Sequence, residues 1–226
     1  MQQPCLLYYI TDRTALAEDE PTRRVRLVEK IGEAARAGVD LIQLREKDLS
    51  TRELETLARK TLALLNQLKA ENRELTTQLL INSRTDLAFA VGAEGVHLRS
   101  DDISPTDVRN IWKQCGAGMC GAGTLAREPV IGVSCHSPEE VHKAATAGAN
   151  FAVFAPVFEK KGSSGTKASG LSLLKEACRA SIPVLALGGI NLKNAESCLE
   201  AGAAGIAAIR LFQENDVASI VRHLRG

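Results

Sequence analysis

Ala37-Gly38-Val39-Asp40, Val91-Gly92-Ala93-Glu94, Ala147-Gly148-Ala149-Asn150 and Ala201-Gly202-Ala203-Ala204 are four versions of one short phrase in a chain of 226 residues. Their glycines lie 54, 56 and 54 residues apart (92 − 38, 148 − 92, 202 − 148). Each phrase follows a helix-patterned segment and precedes a short apolar run. A glycine at that junction closes a helix and takes up positive φ in a tight turn into the next strand. The chain therefore repeats one helix-to-strand turn four times at a near-constant interval.

Eight apolar, β-favouring runs surround these turns, at 6–10, 41–45, 78–82, 95–98, 130–134, 151–157, 183–188 and 205–209. The phrase stands before the second, fourth, sixth and eighth. The runs are near-continuously apolar, as strands covered on both faces require. Between them lie helical patterns such as Arg24–Arg36, Thr51–Leu68 and Pro138–Ala147. Ser50, Ser104 and Ser137 stand at N-cap positions, with Glu53, Asp107 and Glu140 three residues later. Alternating strands and helices allow a closed parallel barrel or an open doubly wound sheet. A two-strand unit repeated four times is the pattern of a barrel built from quarter-turns. The expected fold is an α/β TIM (β/α)8 barrel, a single domain over residues 1–226.

Composition narrows the function classes. Apolar residues make up 45% and charged residues 24%, and 28 Lys and Arg against 27 Asp and Glu leave a net charge of +1. That balance gives no nucleic-acid footprint. The N-terminal MQQPCLLYYITDR has neither a basic leader nor an apolar run long enough for a membrane span. Six cysteines without a CxxC pair read as reduced thiols, and the expected compartment is the cytoplasm. The sequence leaves the oligomeric state open, a homo-oligomer included.

In a TIM barrel the chemistry stands at the C-terminal strand ends and in the loops that follow. Alternation along the second strand puts Gln43, Arg45 and Lys47 on one side, two cations and an amide able to converge on an anion. The third strand ends in Asn82-Ser83-Arg84 and the fourth in His97-Leu98-Arg99-Ser100-Asp101-Asp102. The fifth ends in Ser134-Cys135-His136. His97, inside a strand, reads as well as a hydrogen-bonded core histidine as a catalytic one, whereas His136, just past a strand end, favours function. Asp101 and Asp102 either cap the next helix or supply a metal ligand. Gly188-Gly189 after the seventh strand lets backbone N–H groups approach an anion, and the loops after strands seven and eight are the usual phosphate position. The loop 158–167, rich in glycine, serine and lysine, has the composition of a lid over phosphates. These features point to small phosphorylated ligands.

With QLREK, INSR, GVHLRSDD, GVSCHS and LGGI in this order on eight strands, the chain resembles the thiamine-phosphate synthase and thiazole tautomerase family from about Leu6 to Leu224. The resemblance implies a transferase of thiamine biosynthesis. It would join hydroxymethylpyrimidine pyrophosphate to thiazole phosphate, giving thiamine phosphate and pyrophosphate with Mg2+ assistance. It places Gln43, Arg45 and Lys47 on the pyrophosphate with Asn82 and Ser134 beside them, Lys160 on substrate, and Asp102 on magnesium. Gly188, Gly189 and the backbone at Ile209 and Arg210 fall on the thiazole phosphate. Ser83 stands where synthases carry a second magnesium aspartate, and a neutral hydroxyl is a poorer ligand for a hard cation. The tautomerase branch also lacks that aspartate and uses a histidine matching His136 as acid–base catalyst, so His136 joins Arg45 and Lys47 as a catalytic candidate. A non-catalytic barrel that binds thiazole phosphate or thiamine phosphate is the third reading.

Overall fold

In a computed structural model that describes residues 5–118, 128–159 and 168–226, eight parallel strands follow one another in chain order and close into a barrel. The strands are β1 (Leu6–Ile10), β2 (Leu41–Leu44), β3 (Gln78–Asn82), β4 (Gly95–Leu98), β5 (Val130–Cys135), β6 (Phe151–Phe154), β7 (Val184–Ala186) and β8 (Gly205–Ala208). Closure is made by β1, which pairs with β2 on one side and with β8 on the other. The connecting helices are α1 (Glu20–Arg36), α2 (Thr51–Glu71), α3 (Thr85–Val91), α4 (Pro105–Gly118), α5 (Pro138–Thr146), α6 (Gly170–Ala177) and α7 (Ala195–Glu200), with α8 (Arg210–Gln213) and α9 (Val217–Arg225) closing the chain. The TIM barrel read from the repeat is the fold observed.

Alternation along each strand sorts the core into two layers. Tyr8, Ile10, Leu41, Leu80, Phe151, Val153, Leu185 and Ala207 fill the barrel interior. Leu7, Tyr9, Ile42, Leu44, Leu79 and Ile81 point outward under the helices. The three serine caps form as expected: Ser50 makes a full capping box with Glu53, and Ser104 and Ser137 accept from the N–H groups of Asp107 and Glu140. Helix α1 starts earlier than its apolar pattern, because Asp19 accepts from the N–H of Thr22.

All four glycines of the repeated phrase have positive φ: Gly38 at 92°, Gly92 at 74°, Gly148 at 86° and Gly202 at 104°. The residue two places later then clasps the preceding odd strand. Asp40 N–H donates to Leu7 O at 3.1 Å, and Leu7 N–H donates back to Asp40 Oδ2 at 2.7 Å. Glu94 does the same with Leu79, and Asn150 with Ile131. A helix-borne cation backs each clasp: Arg225 on Asp40, Lys69 on Glu94 and Arg109 on Asn150. The repeat is thus a structural joint at the N-terminal rim.

Several strands differ from their apolar runs. Strand β6 ends at Phe154, before Pro156, whose missing N–H cannot extend a ladder. Strand β7 stops at Ala186, two residues short of Gly188, whose φ is +102°. Strand β2 stops at Leu44, so Arg45 and Lys47 belong to the loop rather than the ladder.

Candidate active site

The C-terminal strand ends surround a cavity of about 1100 Å³. Gln43, Arg45, Lys47, Asn82, Ser134, His136, Gly188, Gly189, Ile209 and Arg210 all line it. Lys160 lies outside the described residues. Neither Asp102 nor Ser83 lines the cavity, whereas Asp101 does.

The loop that carries Arg45 and Lys47 rests on a buried polar foundation. Thr11 at the end of β1 donates to Glu46 Oε1 at 2.5 Å and accepts from the Arg45 N–H at 3.0 Å. Arg13, 2% exposed, reaches Glu20, Glu46 and both carboxylate oxygens of Asp48. Glu46 therefore turns into the fold between two residues that turn out of it. Gln43, 1% exposed, donates to Asn82 Oδ1 at 3.3 Å. The Arg45 guanidinium has no hydrogen-bond or ion-pair partner among the described residues, so its charge is available to a ligand.

The two histidines of the mouth differ in state. His97 is buried between Tyr8 Oη at 3.2 Å and Ser134 Oγ at 2.8 Å. Burial first, and the Arg45 charge second, push its pKa down to about 3. His136 is exposed, and its backbone N–H donates to Glu140 at 2.7 Å. Its Nδ1 lies 2.7 Å from Ala155 O, a carbonyl that can only accept, so Nδ1 carries the proton and Nε2 is the basic nitrogen. Cys135, beside them, is pushed up to about 12 by burial and stays a thiol.

Past the end of β7, Gly188 and Gly189 have φ of +102° and +64°, and added Cβ atoms would stand 2.7 Å from Pro156 Cα and 2.6 Å from Glu159 O. Only glycine fits this close backbone crossing. Asn194 fixes the turn, donating to Gly189 O at 3.1 Å and accepting from Asn191 N–H at 2.8 Å.

Among the described residues no three His, Cys, Asp or Glu side chains come together as a metal cage. Asp102 accepts from its neighbour's N–H, at Arg99, at 2.8 Å, with the Arg99 guanidinium 3.3 Å away. Ser83 has φ of +58°, the one non-glycine residue with positive φ among those described, and its hydroxyl accepts from Asn82 Nδ2 at 3.2 Å. One carboxylate and a hydroxyl are the donors Mg2+ takes when substrate phosphates and water supply the remaining oxygens, but here both stand outside the cavity lining and Asp102 is engaged by Arg99.

Sequence reasoning passed over Tyr8, Arg13 and Glu46, which act from beneath the surface. It also passed over Asn191 and Asn194, although an Asn-x-x-Asn spacing after the Gly-Gly pair carries a turn signal.

A sequence profile described as thiamine monophosphate synthase matches residues 7–212. A thiamine-phosphate synthase of Syntrophomonas wolfei is 35% identical over 226 residues, covering 97% of this chain and 94% of that one. One from Clostridium novyi is 36% identical over 220 residues, covering 93% and 91%. Among solved structures, a thiamine phosphate pyrophosphorylase from Pyrococcus furiosus superposes with a TM-score of 0.74 at 30% identity, covering 99% of this chain and 95% of that one.

Proposed function

The chain belongs to the thiamine monophosphate synthase family, and from that premise we propose that it is a thiamine-phosphate synthase. It couples hydroxymethylpyrimidine pyrophosphate with thiazole phosphate and releases pyrophosphate, as a cytoplasmic transferase. The observation that carries this reading is the unpaired Arg45 guanidinium, held with Lys47 and Gln43 across one cavity from the Gly188-Gly189 turn. A volume of about 1100 Å³ accommodates two phosphorylated substrates together.

The reaction is a displacement through a dissociative transition state. The bond from the pyrimidine methylene to the pyrophosphate oxygen breaks, and both electrons leave with pyrophosphate. The thiazole nitrogen then gives its lone pair to the pyrimidinyl-methyl cation. Arg45 and Lys47 neutralise the charge that grows on the leaving group, and Gln43, Asn82 and Ser134 orient the pyrimidine half. Backbone N–H groups at Gly189, Ile209 and Arg210 hold the thiazole phosphate, fixing the nucleophile's approach. Asp102 would hold Mg2+, which when bound adds positive charge at the pyrophosphate oxygens. Ser83 in place of a second carboxylate makes that site depend on the substrate's own oxygens. Lys160 is proposed to reach substrate from its loop.

The test is pyrophosphate release from the two substrates with Mg2+. Stoichiometric release with thiamine phosphate formation is expected, and its absence at saturating substrate overturns the assignment. Ser83→Asp should lower the Mg2+ concentration needed for half-maximal rate, since positive φ is a conformation aspartate tolerates. An unchanged requirement removes Ser83 from the metal site.

One observation favours a second reading. With Nδ1 donating to Ala155 O, His136 holds a basic Nε2 at an exposed edge of the cavity, as a thiazole tautomerase requires. His136-dependent isomerisation of thiazole carboxylate phosphate without pyrophosphate release would select that reaction. Binding of either phosphate without turnover would select a non-catalytic barrel.

A further inference from the structure

The buried row Tyr8–His97–Ser134 has the outline of a nucleophile, base and orienting group. Its hydrogen bonds run the opposite way. Tyr8 is fully buried in the barrel interior, packed edge-on against Phe151 at 5.4 Å between ring centroids. It belongs there to a buried apolar cluster with Ile10, Leu41, Leu80, Val153 and Leu185. Burial raises the phenol's pKa well above its ordinary value, so Oη keeps its proton. Among the described residues the one acceptor for that proton is His97 Nδ1, at 3.2 Å. A lone imidazole nitrogen that accepts leaves its partner nitrogen as the N–H. His97 Nε2 must then donate to Ser134 Oγ at 2.8 Å. The alternative tautomer would strand a phenolic proton among hydrocarbon side chains, which is costly.

The site is made to hold this ring. A Cβ at Gly132 would stand 2.9 Å from His97 Nδ1 and 2.4 Å from Phe151 Cζ, so only glycine leaves the ring its place. Ser134 and His97 both line the cavity that Arg45 also lines, and half-buried Ser134 is the more exposed of the two, His97 being buried.

We propose that Tyr8 and His97 are positioning residues that fix Ser134 as a one-way hydrogen-bond donor to an anionic oxygen in the cavity. Because Nε2 already carries a proton, His97 cannot accept one from Ser134, and the serine is not a nucleophile. Its own hydroxyl proton is left pointing to the ligand. The assignment of that ligand as a pyrophosphate rests on the synthase reading. The polarity of the row does not.

The test joins a protonation readout to a binding readout. In ¹⁵N-histidine-labelled protein at neutral pH, the His97 signal, identified by its loss in His97→Gln, should show a protonated Nε2 and a bare Nδ1. A protonated Nδ1 in the wild type overturns the proposal and needs no variant to fold. Tyr8→Phe should return His97 to a mixture of tautomers, and an unchanged pattern removes Tyr8 from the role. Calorimetric titration with inorganic pyrophosphate should then show Ser134→Ala weaker by about tenfold to a hundredfold, the range for a hydrogen bond to a charged acceptor. His97→Gln, whose amide can donate but cannot act as a base, should stay within about threefold of wild type, well short of that hydrogen-bond loss. A His97→Gln loss as deep as that of Ser134→Ala overturns the donor assignment. If the wild type shows the expected tautomer and binds pyrophosphate yet never releases it from substrate, the synthase reading fails and the polarity stands. If it releases pyrophosphate with Nδ1 protonated, the synthase reading stands and the polarity fails.

Discussion

The two rims of the barrel use similar residues to opposite ends. At the N-terminal rim, Asp40, Glu94 and Asn150 each accept a strand N–H, and each also meets Arg225, Lys69 or Arg109. Those polar groups are consumed by the fold. At the C-terminal rim, Arg45 and Arg210 face the cavity without an ion-pair partner among the described residues. Arg13, paired with three carboxylates, is buried and supports the loop from below, while Arg99 pairs with Asp101 and Asp102. A guanidinium matched to a carboxylate is spent on the fold, and Arg45, left over at the mouth, is the one the proposed pyrophosphate site uses. Substitutions at one rim should therefore move stability, and at the other activity.

The sharpest break would come at Arg45. Arg45→Ala should lower kcat/KM for pyrophosphate release by about a thousandfold, some 4 kcal/mol of transition-state stabilisation. Its melting temperature should stay within about 2 °C of wild type, because surface groups without partners contribute little to stability. A large fall in Tm with kinetics preserved would place Arg45 in the fold rather than the site.

Next in size is the mirror case at the opposite rim. An added Cβ at Gly205 would lie 2.0 Å from Leu6 O, and at Gly95 1.8 Å from Val130 O, both fixed backbone atoms. Gly205→Ala should cost at least about 3 kcal/mol in urea unfolding, the upper range for overpacking. KM for substrate in the remaining folded protein should be unchanged. A selective loss of substrate binding would show that the rims are not independent.

The third prediction concerns the layer between them. The His97 pKa is about 3 in the fold against 6.5 as its ordinary value. Between those two values the unfolded chain binds the extra proton, so stability is complete above pH 6.5 and falls as the pH drops toward 3. From pH 6.5 to 4.5 this one group should remove on the order of 2–3 kcal/mol. His97→Gln has no ring to protonate, and its unfolding free energy should decline less over the same range by that amount. Equal acid sensitivity in the two proteins would break the assignment of His97 to the buried layer.

The rims also differed in how far the sequence disclosed them. The N-terminal rim was legible because its joint recurs four times with a glycine that only one backbone conformation explains. The convergence of Gln43, Arg45 and Lys47 with Gly188 and Gly189 was legible because barrel topology puts the ends of β2 and β7 on one rim. Arg45 and Lys47 nevertheless lie past the end of β2 and owe their direction to the buried Glu46 between them. The Arg13–Glu46–Asp48 foundation was not, since its partners lie 33 and 35 residues apart and depend on two loops meeting. Nor was Tyr8, which reads as one more apolar strand residue until His97, 89 residues away, is placed beside it. Ser83 drew notice for the carboxylate it lacks. The structure adds its left-handed backbone, which a strand-end pattern does not reveal.

The smallest effect belongs to the quarter of the barrel where the repeat is incomplete. Ala204 N–H donates to Val184 O at 2.8 Å, as Asp40, Glu94 and Asn150 donate to Leu7, Leu79 and Ile131. Where those three return an oxygen to the strand N–H, Ala204 offers a methyl group. Ala204→Asn should restore the acceptor without adding an unpaired charge, and Asn150 shows that an amide serves. The gain of one backbone hydrogen bond is worth about 0.5–1.5 kcal/mol. In a domain of this length that is a rise of about 1–5 °C in Tm, with kcat/KM unchanged. A lower Tm would mean that the clasp works only with its helix-borne cation, and that the N-terminal rim owes its strength to charge pairing rather than to the returned hydrogen bond.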